Sequence, residues 1–461
     1  MATTPPAFPR RGIDWPRAQA LLQLERAAFV ARNPTSQALS QQAAKSLMFG
    51  VPLHWMNDWG TPFAVHVAQA HGAHLTDVDG HTLADFCLGD TGAMFGHSPQ
   101  PVVHAVAHQA ARGFTAMLAS EDAAVVGSLL TERFGLTHWQ FAMTATDANR
   151  FVLRWLRAAS GRRKLLVFNG CYHGTVDDVF VDLLEGKPTP RDSLLGQVYN
   201  LTEHTRVVEF NDLSALQAAL AQGDVACVLA EPAMTNIGMV LPDPDYWPAA
   251  QQLIHQHGAA LVLDETHTTS CDPGGYTRAH GLQPDAIVLG KPLGGGVPCA
   301  AYGFSAEWAA RCVQAKLAAP PGHSGIGTTL SGNLLAMAAM RATLSQLMVD
   351  AVYAPMLANA TLLAEGLRAR IARHGLAWCV TQLGARTEFQ FCPTPPRNGS
   401  QAAAAFDADL EHLIHLALLN RGVMITPFHN MMLVCPATTQ ADVQQLLDAF
   451  DDVLGRICER A

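Results

Sequence analysis

The sequence predicts an α/β protein: a large domain built on a mainly parallel sheet, joined by a smaller α+β domain. The first sign is a set of continuous apolar runs at 164–168, 225–229, 260–263, 286–289 and 299–304, separated by helical segments. Strands that are apolar throughout, with helices between them, fit a parallel sheet covered on both faces. The second is a change of pattern from about residue 346. There a long Ala/Leu helix at 351–374 is followed by the period-two run Thr387-Glu388-Phe389-Gln390-Phe391, a helix at 403–421, a strand near 431–435 and a last helix at 439–458. The third is size, because 461 residues exceed what one core usually serves.

Taken in order, Asp14-Trp15-Pro16 opens a helix that runs through Val30, with a capping acid and a proline tolerated in the first turn. Asn33-Pro34 ends it. Between 50 and 90 the segments shorten, and Asp77-Val78-Asp79-Gly80-His81 reads as a hairpin turn between 73–75 and 83–86. Residues 1–90 are therefore expected to be an N-terminal helix and β-rich segment joining the small domain, 91–345 the large domain, and 346–461 the C-terminal small domain.

Composition narrows the function. Forty-nine per cent apolar and fifteen per cent charged residues describe a well-buried protein, and a net charge of −9 with no basic cluster argues against nucleic acid. The twenty histidines are scattered rather than set at ligand spacing, so no metal site is expected. Ten cysteines without a C-x-x-C pair read as reduced core residues. Met1-Ala2-Thr3-Thr4-Pro5-Pro6 lacks a leader pattern and no stretch has the length to span a bilayer, which makes a cytoplasmic address the expectation.

Candidate chemistry gathers at the strand ends. Lys291 follows the apolar run 286–290 and precedes Pro292-Leu293-Gly294-Gly295-Gly296, while Asp264 ends the run 259–263. In parallel α/β sheets the carboxyl edge of the strands is where ligands bind. Phe141-Ala142-Met143 passes through Thr144-Ala145-Thr146-Asp147-Ala148 into a helical run. A strand, a hydroxyl-bearing turn and a helix N-terminus make an anion site, because the first amide N–H groups lack internal acceptors; the same pattern also suits an ordinary Thr-capped helix. Cys171-Tyr172-His173-Gly174 brings an aromatic ring to the same edge.

The order of Thr144-Ala145-Thr146-Asp147-Ala148, Tyr172-His173-Gly174, Glu231-Pro232, Asp264-Glu265, Gly290-Lys291 with Gly294-Gly295-Gly296, and Gly327-Thr328-Thr329-Leu330-Ser331-Gly332-Asn333 resembles the class III aminotransferases of pyridoxal phosphate (PLP) fold type I. Within that class it is most similar to the glutamate-1-semialdehyde aminomutase branch. The resemblance implies a seven-stranded large-domain sheet and pyridoxal 5'-phosphate as cofactor. It implies that Lys291 holds the cofactor through an imine and shuttles protons, and that Asp264 keeps the pyridine nitrogen protonated. It further implies that Ala145 and Thr146 bind the phosphate, Tyr172 stacks on the ring, and Asn236 lies near the ring's 3′ oxygen. His267 falls where relatives often bond that oxygen, although a merely hydrogen-bonded buried histidine fits as well. Thr266 stands where the family usually packs an aliphatic residue beneath the ring. Thr329 aligns with a threonine that reaches the phosphate held by the neighbouring subunit, which implies a homodimer; Thr328 replaces the glycine before it, which leaves open which hydroxyl makes the contact.

Departures from the family pattern bear on substrate. The arginine that ornithine-type members place in a C-terminal strand is absent from Met431-Met432-Leu433-Val434-Cys435. That weakens a 2-oxoglutarate-dependent reading, since a buried carboxylate without a bidentate partner is costly. Arg386 is an alternative carboxylate binder, or else a surface salt-bridge partner of Glu388. Trp55 and His429 are candidates for the substrate side, with His54, Met56 and Phe428 near them in sequence, and this aromatic and thioether character suits an apolar amine or β-amino acid. The segment from Asp264 to Tyr276 is rewritten relative to the family. The expected activity is amino-group transfer between a small-molecule donor and a keto acid, with an aminomutase-type 2,1-shift and a non-catalytic PLP-binding protein as alternatives.

Overall fold

A computed structural model describes residues 9–459, so the Met1–Pro6 stretch discussed above lies outside the described residues. The chain divides into two compact units: Gln100–Tyr353 with Pro396–Ala403, and the described residues of Met1–Pro99, Ala354–Pro395 and Ala404–Ala461. Among the described residues no single helix is long and apolar enough to cross a membrane.

The first unit is built on a seven-stranded sheet in the order His138–Ala142, Ala300–Phe304, Ala286–Leu289, Ala260–Asp264, Val225–Ala230, Lys164–Phe168 and Thr205–Val208. All neighbours are parallel except Ala300–Phe304, which runs against the strand on each side of it. The exception follows from chain length. Only residues 290–299 separate it from Ala286–Leu289, too few for a crossover helix, so the chain must double back. Every residue of Val225–Ala230, Ala260–Asp264, Ala286–Leu289 and Ala300–Phe304 is buried. The helix Ala145–Ser160 lays Phe151, Val152, Leu153 and Leu156 in one apolar cluster with Leu165, Val262, Val288 and Tyr302. Thr205–Val208 went unread in the sequence because it is an edge strand interrupted by Arg206.

The second unit holds two small sheets. Val67–His71, His74–Asp77 and Thr82–Asp85 form an antiparallel meander, extended by Val423–Met424 parallel to the last strand. Its hairpin turn is fixed by Asp77, whose Oδ1 accepts from the N–H groups of Asp79 and His81 at 3.0 and 2.8 Å. Cys379–Leu383, Arg386–Gln390 and Met431–Leu433 form the other sheet. Its apolar face meets Phe450 from the helix Gln440–Ile457, which begins with a capping box between Thr439 and Asp442. The single helix expected at 403–421 is corrected: the structure has Gly399–Ala404 and a separate Ala408–Asn420. Asp407 causes the break, since its carboxylate caps the second helix by accepting from the Leu410 N–H at 3.1 Å.

Phe450 is fully buried, its ring 4.9 Å from that of Phe389. Phe450→Ala should cost this unit roughly 3–5 kcal/mol, seen as a lower urea midpoint at an unchanged slope.

Candidate active site

The site begins with a buried carboxylate that stays charged. Asp264, the last residue of its strand, is 5% exposed. Its Oδ2 accepts from Asn149 Nδ2 at 2.9 Å and bonds His173 Nδ1 at 3.0 Å, and its Oδ1 accepts from the Thr266 N–H at 3.1 Å. Burial would raise its pKa, but the bonds to His173, Thr266 and Asn149 outweigh it, and the pKa falls below the ordinary carboxylate value. His173 answers in the opposite sense: burial would lower it, yet the Asp264 bond carries it up to about 10. The result is an imidazolium–carboxylate pair in the interior. His173 and Asn149 were not singled out from sequence. The former sat in a motif read for Tyr172; no local signal marks the latter, which reaches Asp264 across 115 positions.

Lys291 lies one glycine beyond Ala286–Leu289, and Val288 pairs in register with Asp264. The two strand ends therefore lie side by side. Lys291 takes φ +36°, the left-handed region that a side chain adopts at a cost of order 1 kcal/mol and that clusters at functional sites. Its Nζ meets His267 Nε2, and His267 Nδ1 lies 2.9 Å from the Thr235 hydroxyl. Asn236 donates to Glu231 Oε2 at 3.1 Å, so it joins the same polar group from the loop that follows Val225–Ala230, the strand next to that of Asp264.

The helix N-terminus is brought against this edge by two glycines. A Cβ at Gly290 would sit 2.8 Å from the Ala145 Cβ, and one at Gly174, φ +75°, would strike the Thr146 hydroxyl. Thr144 caps the helix by accepting from the Asp147 N–H at 3.1 Å, so the ordinary capping role and the strand–turn–helix geometry coexist. Thr146 Oγ1 accepts from the Thr175 N–H at 3.1 Å. Tyr172, in the turn after Lys164–Phe168, is 40% exposed. Thr329 lies in an exposed turn, where the Thr328 and Ser331 hydroxyls share a hydrogen bond of 2.9 Å that either can donate.

These donors suit pyridoxal phosphate. An ionised carboxylate matches a protonated ring nitrogen, a lysine at the adjacent strand end matches the aldehyde, and a helix N-terminus matches the phosphate. Thr266 adds a buried hydroxyl with no hydrogen-bond partner among the described residues. The rewritten segment is anchored by Glu265, which accepts from the N–H groups of Tyr276 and Thr277 at 2.9 and 2.6 Å.

The substrate-side candidates lie in the other unit. Trp55 packs near Trp59 and Phe428, with ring separations of 6.3 and 5.2 Å. His429 bonds Glu388 Oε1 through Nδ1 at 2.9 Å. Arg386 is corrected from a possible surface residue to a fully buried one, bonded to the Thr91 hydroxyl.

The model of the family described as Aminotransferase class-III matches residues 55–454. A glutamate-1-semialdehyde 2,1-aminomutase of Roseiflexus castenholzii is 32% identical over 397 residues, 85% of this chain and 90% of that protein. Among solved structures, a glutamate-1-semialdehyde-aminomutase from Pseudomonas aeruginosa PAO1 in complex with PMP superposes with a TM-score of 0.95 at 46% identity, covering 97% of this chain and all of the other. A β-phenylalanine aminotransferase from Variovorax paradoxus gives 0.84 at 27% identity, covering 95% and 97%.

The His173–Asp264 pair sets a pH window. His173, raised, stabilises fully below its unfolded value near ~6.5 and loses that contribution as pH climbs through about 10. Asp264, lowered, stabilises above its unfolded value of ~3.9 and loses that contribution as pH falls. The stability gap between wild type and His173→Gln should therefore be widest between roughly pH 4 and 6.5 and shrink toward pH 11, as read from urea unfolding at a series of pH values.

Proposed function

The chain belongs to the class III aminotransferase family, whose members are PLP-dependent enzymes, and on that premise we propose that it moves an amino group between a small amine or amino acid and a keto acid. The observation that carries this reading is the side-by-side placement of Asp264 and Lys291 on paired strands, with the first kept anionic by His173 and Asn149. Bound pyridoxal phosphate supplies an electron sink for the carbanion formed beside the substrate nitrogen. Asp264 would hold the proton on the ring nitrogen. Lys291 would anchor the cofactor and then move the proton at the substrate carbon. The Ala145 N–H and the Thr146 hydroxyl would bind the phosphate, and Tyr172, Asn236 and His267 would contact the ring and its substituents.

The aromatic group of Trp55, Trp59 and Phe428 favours an apolar amine or β-amino acid, with Arg386 and His429 on the substrate side. The β-phenylalanine aminotransferase neighbour supports the same class. The aminomutase relatives favour a second reading, an intramolecular 2,1-amino shift that uses the same residues. We place the enzyme in the cytoplasm as a homodimer, in which Thr329, not Thr328, reaches the phosphate of the neighbouring subunit.

A panel of single amino donors, followed by the loss of the cofactor's visible absorbance, separates these readings. Transamination releases one equivalent of carbonyl product per site from the donor alone, whereas a mutase isomerises an amino aldehyde with no net keto acid released. Lys291→Ala should abolish turnover in either case; turnover that survives it overturns both. Thr329→Ala should weaken PLP binding about tenfold, the loss of one hydrogen bond to a charged group, while Thr328→Ala should not; titration of the apoprotein decides.

A further inference from the structure

We propose that His267, Thr235 and Glu231 form a proton relay that draws a proton from the Lys291 amine and leaves it neutral for bond formation and proton transfer. The proposal rests on Lys291 being the cofactor lysine.

The donor directions follow from counting hydrogens. Glu231 Oε2 accepts from the Thr235 hydroxyl at 2.5 Å, from the Thr235 N–H at 3.2 Å and from Asn236 Nδ2 at 3.1 Å. A hydroxyl has one hydrogen, and Thr235 gives it to Glu231. Its oxygen can then only accept from His267 Nδ1, 2.9 Å away. His267 therefore carries its hydrogen on Nδ1 and turns the lone pair of Nε2 toward Lys291 Nζ, which it touches. Every link from Lys291 to Glu231 points the same way.

The transfer balances. A hydrogen passes from Lys291 Nζ to His267 Nε2, the Nδ1 hydrogen passes to Thr235 Oγ1, and the Thr235 hydroxyl hydrogen passes to Glu231 Oε2. Lys291 ends as a neutral amine, His267 as the other neutral tautomer and Glu231 as a neutral acid. Glu231 is suited to be the acceptor. It is 6% exposed, and its Oε1 has no hydrogen-bond partner among the described residues, so its anion is poorly solvated. Burial raises its pKa, Asp264 adds to this, and His173 and the bonds from Thr235 and Asn236 oppose it. Thr235 and His267 are 1% and 4% exposed, which keeps bulk water out of the chain of bonds. The charged groups around the relay include His173 and Asp264 beside Glu231, and Lys291 beside His267. Thr235 and Glu231 act through His267 and are positioning residues.

The test follows the growth of the visible absorbance when apoprotein is mixed with pyridoxal phosphate, which needs no substrate. Thr235→Val should slow it about tenfold at pH 7, and the deficit should shrink as the pH is raised and hydroxide takes over removal of the proton. Thr235→Ser should restore the wild-type rate. A Thr235→Val deficit that is equal at all pH values, or a rate like wild type at pH 7, overturns the relay. Lys291→Ala is measured beside it: loss of the band leaves the cofactor reading standing whatever Thr235→Val does, and a normal band refutes that reading.

Discussion

A carboxylate taken out of water gives up its charge unless other groups replace the solvent. At Asp264 the replacement comes from three places: the helix Ala145–Ser160 through Asn149, the turn after Lys164–Phe168 through His173, and the backbone at Thr266. One anion therefore ties together the three elements that border the site. Asn149 lies one turn inside the helix whose N-terminus faces Gly290, so the bond that keeps Asp264 ionised also fixes where the amides of Ala145 and Thr146 stand. The same Asn149 amide donates to the His173 carbonyl oxygen at 3.2 Å, closing the triangle.

The fold and the two ends of the chemistry were legible because they are local properties. Runs such as Ala286-Ile287-Val288-Leu289 declare themselves as buried strands, and a charged residue at the end of such a run has few structural reasons to be there. What could not be read was pairing at a distance. Thr235 and His267 lie 32 positions apart, and His173 and Asp264 lie 91 apart. No periodicity links them; only the sheet order does. The edge strand at Thr205–Val208 and the Asp407 break failed for a different reason, since polar residues there serve an edge and a cap rather than marking a loop.

The rewritten segment after Asp264 shows how a polar sequence can fill an interior. Thr266, Thr268, Thr269 and Ser270 are all buried. Glu265, its pKa raised by burial, takes the Thr268 hydroxyl and two backbone N–H groups, and Tyr353 donates to the Thr269 carbonyl oxygen at 2.8 Å. Hydrogen bonds, rather than aliphatic packing, hold this loop in place. The Thr266 and Ser270 hydroxyls stand outside this network, without a partner among the described residues.

The Thr82–Asp85 strand finds its last neighbour in Val423–Met424, more than three hundred residues later. During synthesis the N-terminal meander thus leaves the ribosome with an open edge, and nearly the whole of the intervening chain must be made before that edge is covered. The unit that begins first is completed last. A ribosome that stalls before residue 423 would release a chain whose seven-stranded sheet is already encoded in full while this meander still offers unpaired backbone to any strand that meets it.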